Sequence, residues 1–188
     1  IPNISVDCVV FGFDATTKSL NVLLLKRYLE SKETGEILVN DLVLTGYHAL
    51  ENETIDDTAT RVLRELTGLD NLYKKQFKIF GDPNRLMNEK DIIWVESENF
   101  NPRTITIAYY FLVKTHEVDI ENNIHQPEWF PVNNLPELGF DHKTIINEAY
   151  ADLKAKSLTE PIIFELLPNK FTIKELQDVY ECILGVDI

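Results

Sequence analysis

Residues 44–69 read LTGYHALENETIDDTATRVLRELTGL, and this stretch decides the fold. Thr54, with Asp57 three residues on, makes a capping-box pattern that uses Asp in place of Glu and marks a helix start. Ala59, Val62, Leu63 and Leu66 recur at helical spacing, and Gly68 supplies the stop signal. The stretch therefore predicts a strand end, a loop and one helix with an apolar face. Arg61 and Glu65 stand one turn apart on that helix and are expected to pair.

The same residues resemble the Nudix box. Glu53 falls on the isolated glutamate of that signature, Arg61 on its arginine, Leu63 on its aliphatic position and Glu65 on a clustered glutamate, with Gly68 and Leu69 closing it. Tyr47 stands where the box glycine belongs, and Val62 and Leu66 replace two clustered glutamates. In the family, positions 62, 65 and 66 place three carboxylates on one helical face, where they hold magnesium to polarise a pyrophosphate. Here only Glu65 remains, with Glu53 as a helper. The resemblance keeps the frame and removes most of the chemistry, so no catalytic residue and no cofactor is expected. Glu53, Arg61 and Glu65 are remnants of the box. Magnesium on Glu53 and Glu65 belongs to a rival reading, a Nudix hydrolase of nucleoside diphosphate derivatives.

The two predicted strands ahead of the box, residues 4–13 and 20–27, resemble the opening of Nudix domains, where a strand ending in Lys-Arg delivers a cation to the cleft. Lys26 and Arg27 inherit that role. Residues 28–41 are polar and are expected to form an exposed loop. Tyr47 puts a bulky ring where a second glycine lets the backbone approach a ligand; it is able to stack on a ligand or to block the cleft.

After the helix, residues 75–81 predict a strand that leads into Asp82-Pro83-Asn84-Arg85. This resembles Nudix-related transcriptional regulators of the NrtR and AraR type, in which Phe-Gly-Asp-Pro-x-Arg-Asp-Pro precedes an Arg-bearing strand and an Ala-Tyr pair. Residues 86–100 are inserted between the two halves, and 91–96 (DIIWVE) are expected to add an edge strand. Arg85 and Arg103 are candidate ligand contacts, because Arg offers planar bidentate donors. Arg103 opens a β-branched strand, and 128–132 resemble the late strand of the same fold. Asp141 is the expected N-cap of a helix over 143–156. His142 is a further candidate ligand contact, set against the commoner surface or capping role. His48, His116 and His125 show no metal-ligand spacing.

From Glu160 the character changes. Thr172 and Glu175 form a second capping box, and Leu176, Val179, Tyr180 and Ile183 make an apolar stripe. This resembles the entry into the C-terminal winged helix of the same regulators; a helix packed on the Nudix core is the plainer alternative. Residues 160–188 hold two basic and six acidic residues and net −4, too acidic to grip duplex DNA by themselves. The recognition helix and wing are expected to follow Ile188.

Bulk properties bound the rest. The net charge of −13, from 31 acidic and 18 basic residues, argues against a broad nucleic-acid surface within these residues. At 44% hydrophobic the chain can bury a substantial core, and no apolar run approaches the ~18 residues of a membrane helix. Cys8 and Cys182 read as ordinary thiols of a reduced, cytoplasmic protein.

The expected fold is α/β: a Nudix-type α/β/α sandwich with a mixed sheet over residues 1–157, followed by a partial winged-helix segment over 160–188. The expected function is ligand sensing by a transcriptional regulator. A small-molecule effector, a sugar such as a pentose or an ADP-ribose-like nucleotide, occupies the cleft, and the reduced carboxylate set and Tyr47 favour the sugar. Operator DNA is expected to be bound by a homodimer through a C-terminal element mostly beyond Ile188, with no membrane partner. A degenerate domain acting as a protein-interaction scaffold is the third reading.

Overall fold

The computed structural model describes residues 1–188. In chain order its elements are β1 (Asn3–Asp14), β2 (Ser19–Glu30), β3 (Ile37–Val43), β4 (Thr45–His48), α1 (Ile55–Thr67), β5 (Tyr73–Phe80), α2 (Glu89–Ser97), β6 (Thr104–Val113), β7 (Glu128–Pro131), α3 (His142–Ser157) and α4 (Ile173–Leu184). Two short 3-10 turns, Thr115–Glu117 and Ile162–Leu166, complete the list.

The strands form one sheet in the order β3-β2-β1-β6-β5, with β4 also paired to β1 and β7 to β2. β1 and β6 run parallel over ten residue pairs, from Asn3 opposite Thr104 to Gly12 opposite Val113. The other pairs are antiparallel, so the sheet is mixed.

Both central strands are apolar almost throughout, because both of their faces are covered. Val6, Cys8 and Val10 of β1 and Ile107, Tyr109 and Phe111 of β6 face α1, meeting Ala59, Val62, Leu63 and Leu66. The intervening residues, Val9, Phe11 and Phe13 with Ala108, Tyr110 and Leu112, face Ile145, Ile146, Ala149 and Leu153 of α3. This period-two alternation builds the two cores of an α/β/α sandwich. Ile162, Ile163, Leu166, Leu167, Val179 and Ile183 join the α3-side core, so the C-terminal segment packs on the sheet.

Both capping boxes form. Thr54 Oγ1 accepts the Asp57 N–H at 3.1 Å while Asp57 Oδ2 accepts the Thr54 N–H at 3.2 Å, and Thr172 and Glu175 do the same for α4. Gly68 ends α1 at φ +70°, a conformation that favours glycine.

Three expectations need correction. Residues 28–41 are not a loop: β2 runs on to Glu30 and β3 begins at Ile37, so only 31–36 turn. The polar residues there belong to an edge hairpin, in which Arg27 lies opposite Asp41 and Val39 is buried. Residues 91–96 are helical, not an edge strand. Asn88 caps α2 by accepting the Lys90 N–H, and Asp91 and Val95, four residues apart, turn inward together. Helical spacing of the two inward-facing groups outweighs the β-branched content. Finally, Asp141 precedes α3 but makes no side-chain cap, because its carboxylate is drawn to Arg85.

Candidate functional site

A cavity of about 330 Å³ opens between β2, β4, the 86–100 insertion and the start of α3. Its volume lies at the small end of the range for ligand pockets. Lys26, Arg27, Tyr47, Arg85 and His142 line it, whereas Arg103 does not.

Arg27 leaves β2 into the wall of the cavity, and its side chain is 1% exposed. Nε and Nη2 donate to the two oxygens of Asp41 at 2.8 and 2.7 Å, and Nη2 also donates to Asp91 Oδ1 at 2.7 Å. Phe140 lies under the guanidinium with its ring centroid 4.4 Å from Cζ, and Trp94 approaches at 5.6 Å. Burial opposes the charge, but the hydrogen bonds to both carboxylates hold the Arg27 pKa above its ordinary value. Glycine at 139 allows this packing, since a Cβ there would come within 2.4 Å of Nη2. Nη1 alone is buried without a partner.

Arg85 forms the second cation. Nε and Nη2 bridge both oxygens of Asp141 at 3.0 and 2.7 Å, and Nη2 lies 3.6 Å from Asp7 Oδ2. Burial again opposes the charge and the carboxylates restore it, leaving the Arg85 pKa raised. Gly46 makes room for Asp7: a Cβ at 46 would sit 2.2 Å from Asp7 Oδ1.

His142 is neither on the surface nor a cap. It is buried, and its Nδ1 accepts the Leu44 N–H at 2.9 Å, which leaves the proton on Nε2 facing Asp7 Oδ1 at 3.7 Å. Burial lowers its pKa despite Asp7, so the ring is neutral at pH 7. Tyr47 forms part of an aromatic wall, edge-on to Phe100 at 6.1 Å and to His48 at 5.8 Å, and half of its surface remains open. Lys26 is exposed on the cavity wall. Arg103 points away, donating to the carbonyls of Gly81 at 3.0 Å and Asp82 at 3.4 Å.

The residues that complete this site, Asp7, Asp41, Asp91, Trp94, Phe100 and Phe140, were not candidates from sequence. One of them carries a signal: Asp7 is a lone carboxylate inside the apolar run ISVDCVV. The others depend on a hairpin pairing and on an insertion turning helical.

The box helix lies beside this cavity, with its acidic remnants already engaged. Arg61 donates to both oxygens of Glu53 at 2.6 and 3.0 Å and to the His48 carbonyl at 3.2 Å, and its Nη1 lies 3.6 Å from the exposed Glu65. Glu53 also accepts from the Thr58 hydroxyl and the Leu50 N–H. Val62 and Leu66 are buried in the core. No group of three or more His, Cys, Asp or Glu side chains is placed to share a metal ion.

The Arg61 hydrogen bonds hold the Glu53 pKa down from the ordinary 4.5 to about 2. A depressed carboxylate stabilises the fold fully above its unfolded value, and that contribution fades as the pH falls toward the folded one. Glu53→Gln is therefore expected to melt below the wild type at pH 7, the gap closing between pH 4.5 and about 2. Thermal melts across that range measure it, and a gap independent of pH would refute the assignment.

The family model of the NrtR DNA-binding winged helix domain matches residues 163–188. The ADPR-responsive transcriptional repressor NtrR of Acinetobacter baylyi is 28% identical over 191 residues, covering 98% of this chain and 67% of that protein. The chain is thus similar to an NrtR-type repressor over nearly its whole length. The crystal structure of Shewanella oneidensis NrtR superposes with a TM-score of 0.77 at 26% identity, covering 99% of this chain and 79% of that one. The same protein complexed with a 27mer DNA gives 0.76 at 26% identity, covering 98% and 77%. The C-terminal residues matched to the winged helix include those that enter the α3-side core.

Proposed function

We propose that the chain is the effector-sensing part of a transcriptional regulator, and that its cleft binds an ADP-ribose-like nucleotide. The observation that carries this reading is a box helix whose Val62 and Leu66 are buried, near a cavity lined by Lys26, Arg27, Arg85 and His142, in a chain whose end matches the NrtR winged helix. The Acinetobacter relative, named as responsive to ADPR, supports the choice of ligand. Coupling requires that the effector bind the DNA-competent and incompetent states with different affinity. We place the boundary between the Nudix-like and winged-helix-like segments of the sequence at 157–159, the second segment packing on the core of the first. Residues 160–188 net −4, so the DNA contacts are assigned to elements other than these. A homodimer on a two-fold operator is part of the proposal, and light scattering at twice the chain mass tests it.

The direct test is a thermal-shift titration. ADP-ribose at ~100 times its Kd should add roughly 2.7 kcal/mol of stability, a clear rise in melting temperature. No shift with ADP-ribose at any soluble concentration would sink the reading. A free-sugar effector is the second reading, favoured by one observation: both cleft arginines are already ligated by carboxylates. A shift with a pentose and none with ADP-ribose would select it.

The proposal includes no resident metal and no hydrolysis. Glu53 is held by Arg61, Glu65 is 60% exposed, and aliphatic side chains occupy the other two positions, so the donor set does not fit magnesium. Millimolar magnesium is expected to leave the melting temperature unchanged and to release no phosphate from ADP-ribose. Magnesium-dependent release that vanishes in Glu65→Gln would restore the hydrolase.

A further inference from the structure

Three lysine and arginine side chains line the cleft, and two of them are neutralised from within. Arg27 Nη2 lies 2.7 Å from a carboxylate oxygen of Asp41 and 2.7 Å from one of Asp91, and Arg85 is held between Asp141 and Asp7. Lys26 differs. It is exposed, makes no ion pair within 4 Å, and lines both this cavity and an adjoining polar one of about 630 Å³. Asp91 belongs to the 86–100 insertion and is fixed a second time by accepting the Phe140 N–H at 3.1 Å. Arg27 Nη1 nevertheless keeps unpartnered N–H groups beside the cavity.

The pyrophosphate of an ADP-ribose-like nucleotide is anionic and only accepts hydrogen bonds, and near Arg27 it would meet the charges of Asp91 and Asp41. A hydroxyl both donates and accepts, so it can take a hydrogen bond from Nη1 while giving one to a carboxylate. We propose that Asp91 is a selectivity residue: seated on Arg27, it reserves the Arg27 end of the cleft for a neutral, hydroxyl-bearing group. Lys26 is then the seat for an anionic group such as a pyrophosphate. This inference rests on the effector reading above and assigns an orientation to the ligand.

The test is calorimetric titration of inorganic pyrophosphate at low salt into the wild type, Lys26→Gln and Asp91→Asn. The wild type should bind pyrophosphate, and Lys26→Gln, a change at the surface, should weaken it by about tenfold or more. Asp91→Asn keeps the acceptor for the Phe140 N–H and removes one of the two carboxylate charges on Arg27, leaving Asp41 as its partner, so it should tighten binding by about tenfold. No pyrophosphate binding by the wild type, unchanged affinity in Lys26→Gln, or a folded Asp91→Asn no tighter than wild type would each overturn the inference. If Asp91→Asn does not fold, the Lys26→Gln result decides alone. ADP-ribose titrated into the same proteins separates the two claims. Silence toward ADP-ribose with the expected pyrophosphate pattern removes the effector reading and leaves the charge selectivity standing. ADP-ribose binding that is indifferent to Lys26→Gln does the reverse.

Discussion

Replacing Arg27 with Met is expected to cost about 3–5 kcal/mol of folding stability, because the change leaves buried carboxylates without their cation. Asp91 has a side chain only 5% exposed and Asp41 one 16% exposed, so water cannot readily take over the role of the guanidinium. The loss should appear as a lower urea midpoint with an unchanged slope. Adding Asp91→Asn to Arg27→Met should return part of it, since the two sites share one network and their effects are not additive. A cost below about 1 kcal/mol would mean that the carboxylates are solvated and that the pair is no more than a surface ion pair.

Ile163→Ala is the second large effect, about 2–5 kcal/mol by the usual cost of emptying a buried aliphatic position. Ile163 sits in the 3-10 turn ahead of α4, fully buried in the same core as Val9 and Phe11 of β1, Tyr110 of β6 and Ile146 of α3. The whole protein should therefore lose stability in one cooperative transition. If residues 160–188 folded as an independent unit, the substitution would shift only a minor transition and leave the main one in place. Calorimetric melts of the wild type and the variant distinguish these outcomes.

How far the sequence reaches is set by the range of the interactions. The sheet, the helix over 55–67 and both capping boxes were legible, because period-two apolar runs and N-cap pairs are local signals. The packing role of Val62 and Leu66 was legible as well, since both continue the apolar face of the helix and both are buried. Of the candidate ligand contacts, Lys26, Arg27, Tyr47, Arg85 and His142 come together on one cavity and Arg103 does not. What was not legible was the set of carboxylates facing those arginines. Asp41 becomes a partner through strand register, Asp91 through an insertion whose Ile-Ile-Trp-Val run reads as a strand, and Asp141 through a cap position that forgoes capping. Each of these depends on contacts between residues far apart in the chain, which local patterns do not encode.

The parallel pairing of β1 with β6 has a consequence for the order of events in folding. Thr106 and Ser5, neighbours across that pair, are 101 residues apart in sequence. The entropy of closing so long a loop must be met before the centre of the sheet yields any stabilisation. During synthesis, β1 waits for its partner until β6 has emerged, with the aliphatic and aromatic residues of residues 6–13 uncovered on one side in the meantime. A high contact order of this kind places the domain among slower folders, with its earliest strand the most exposed to misassociation.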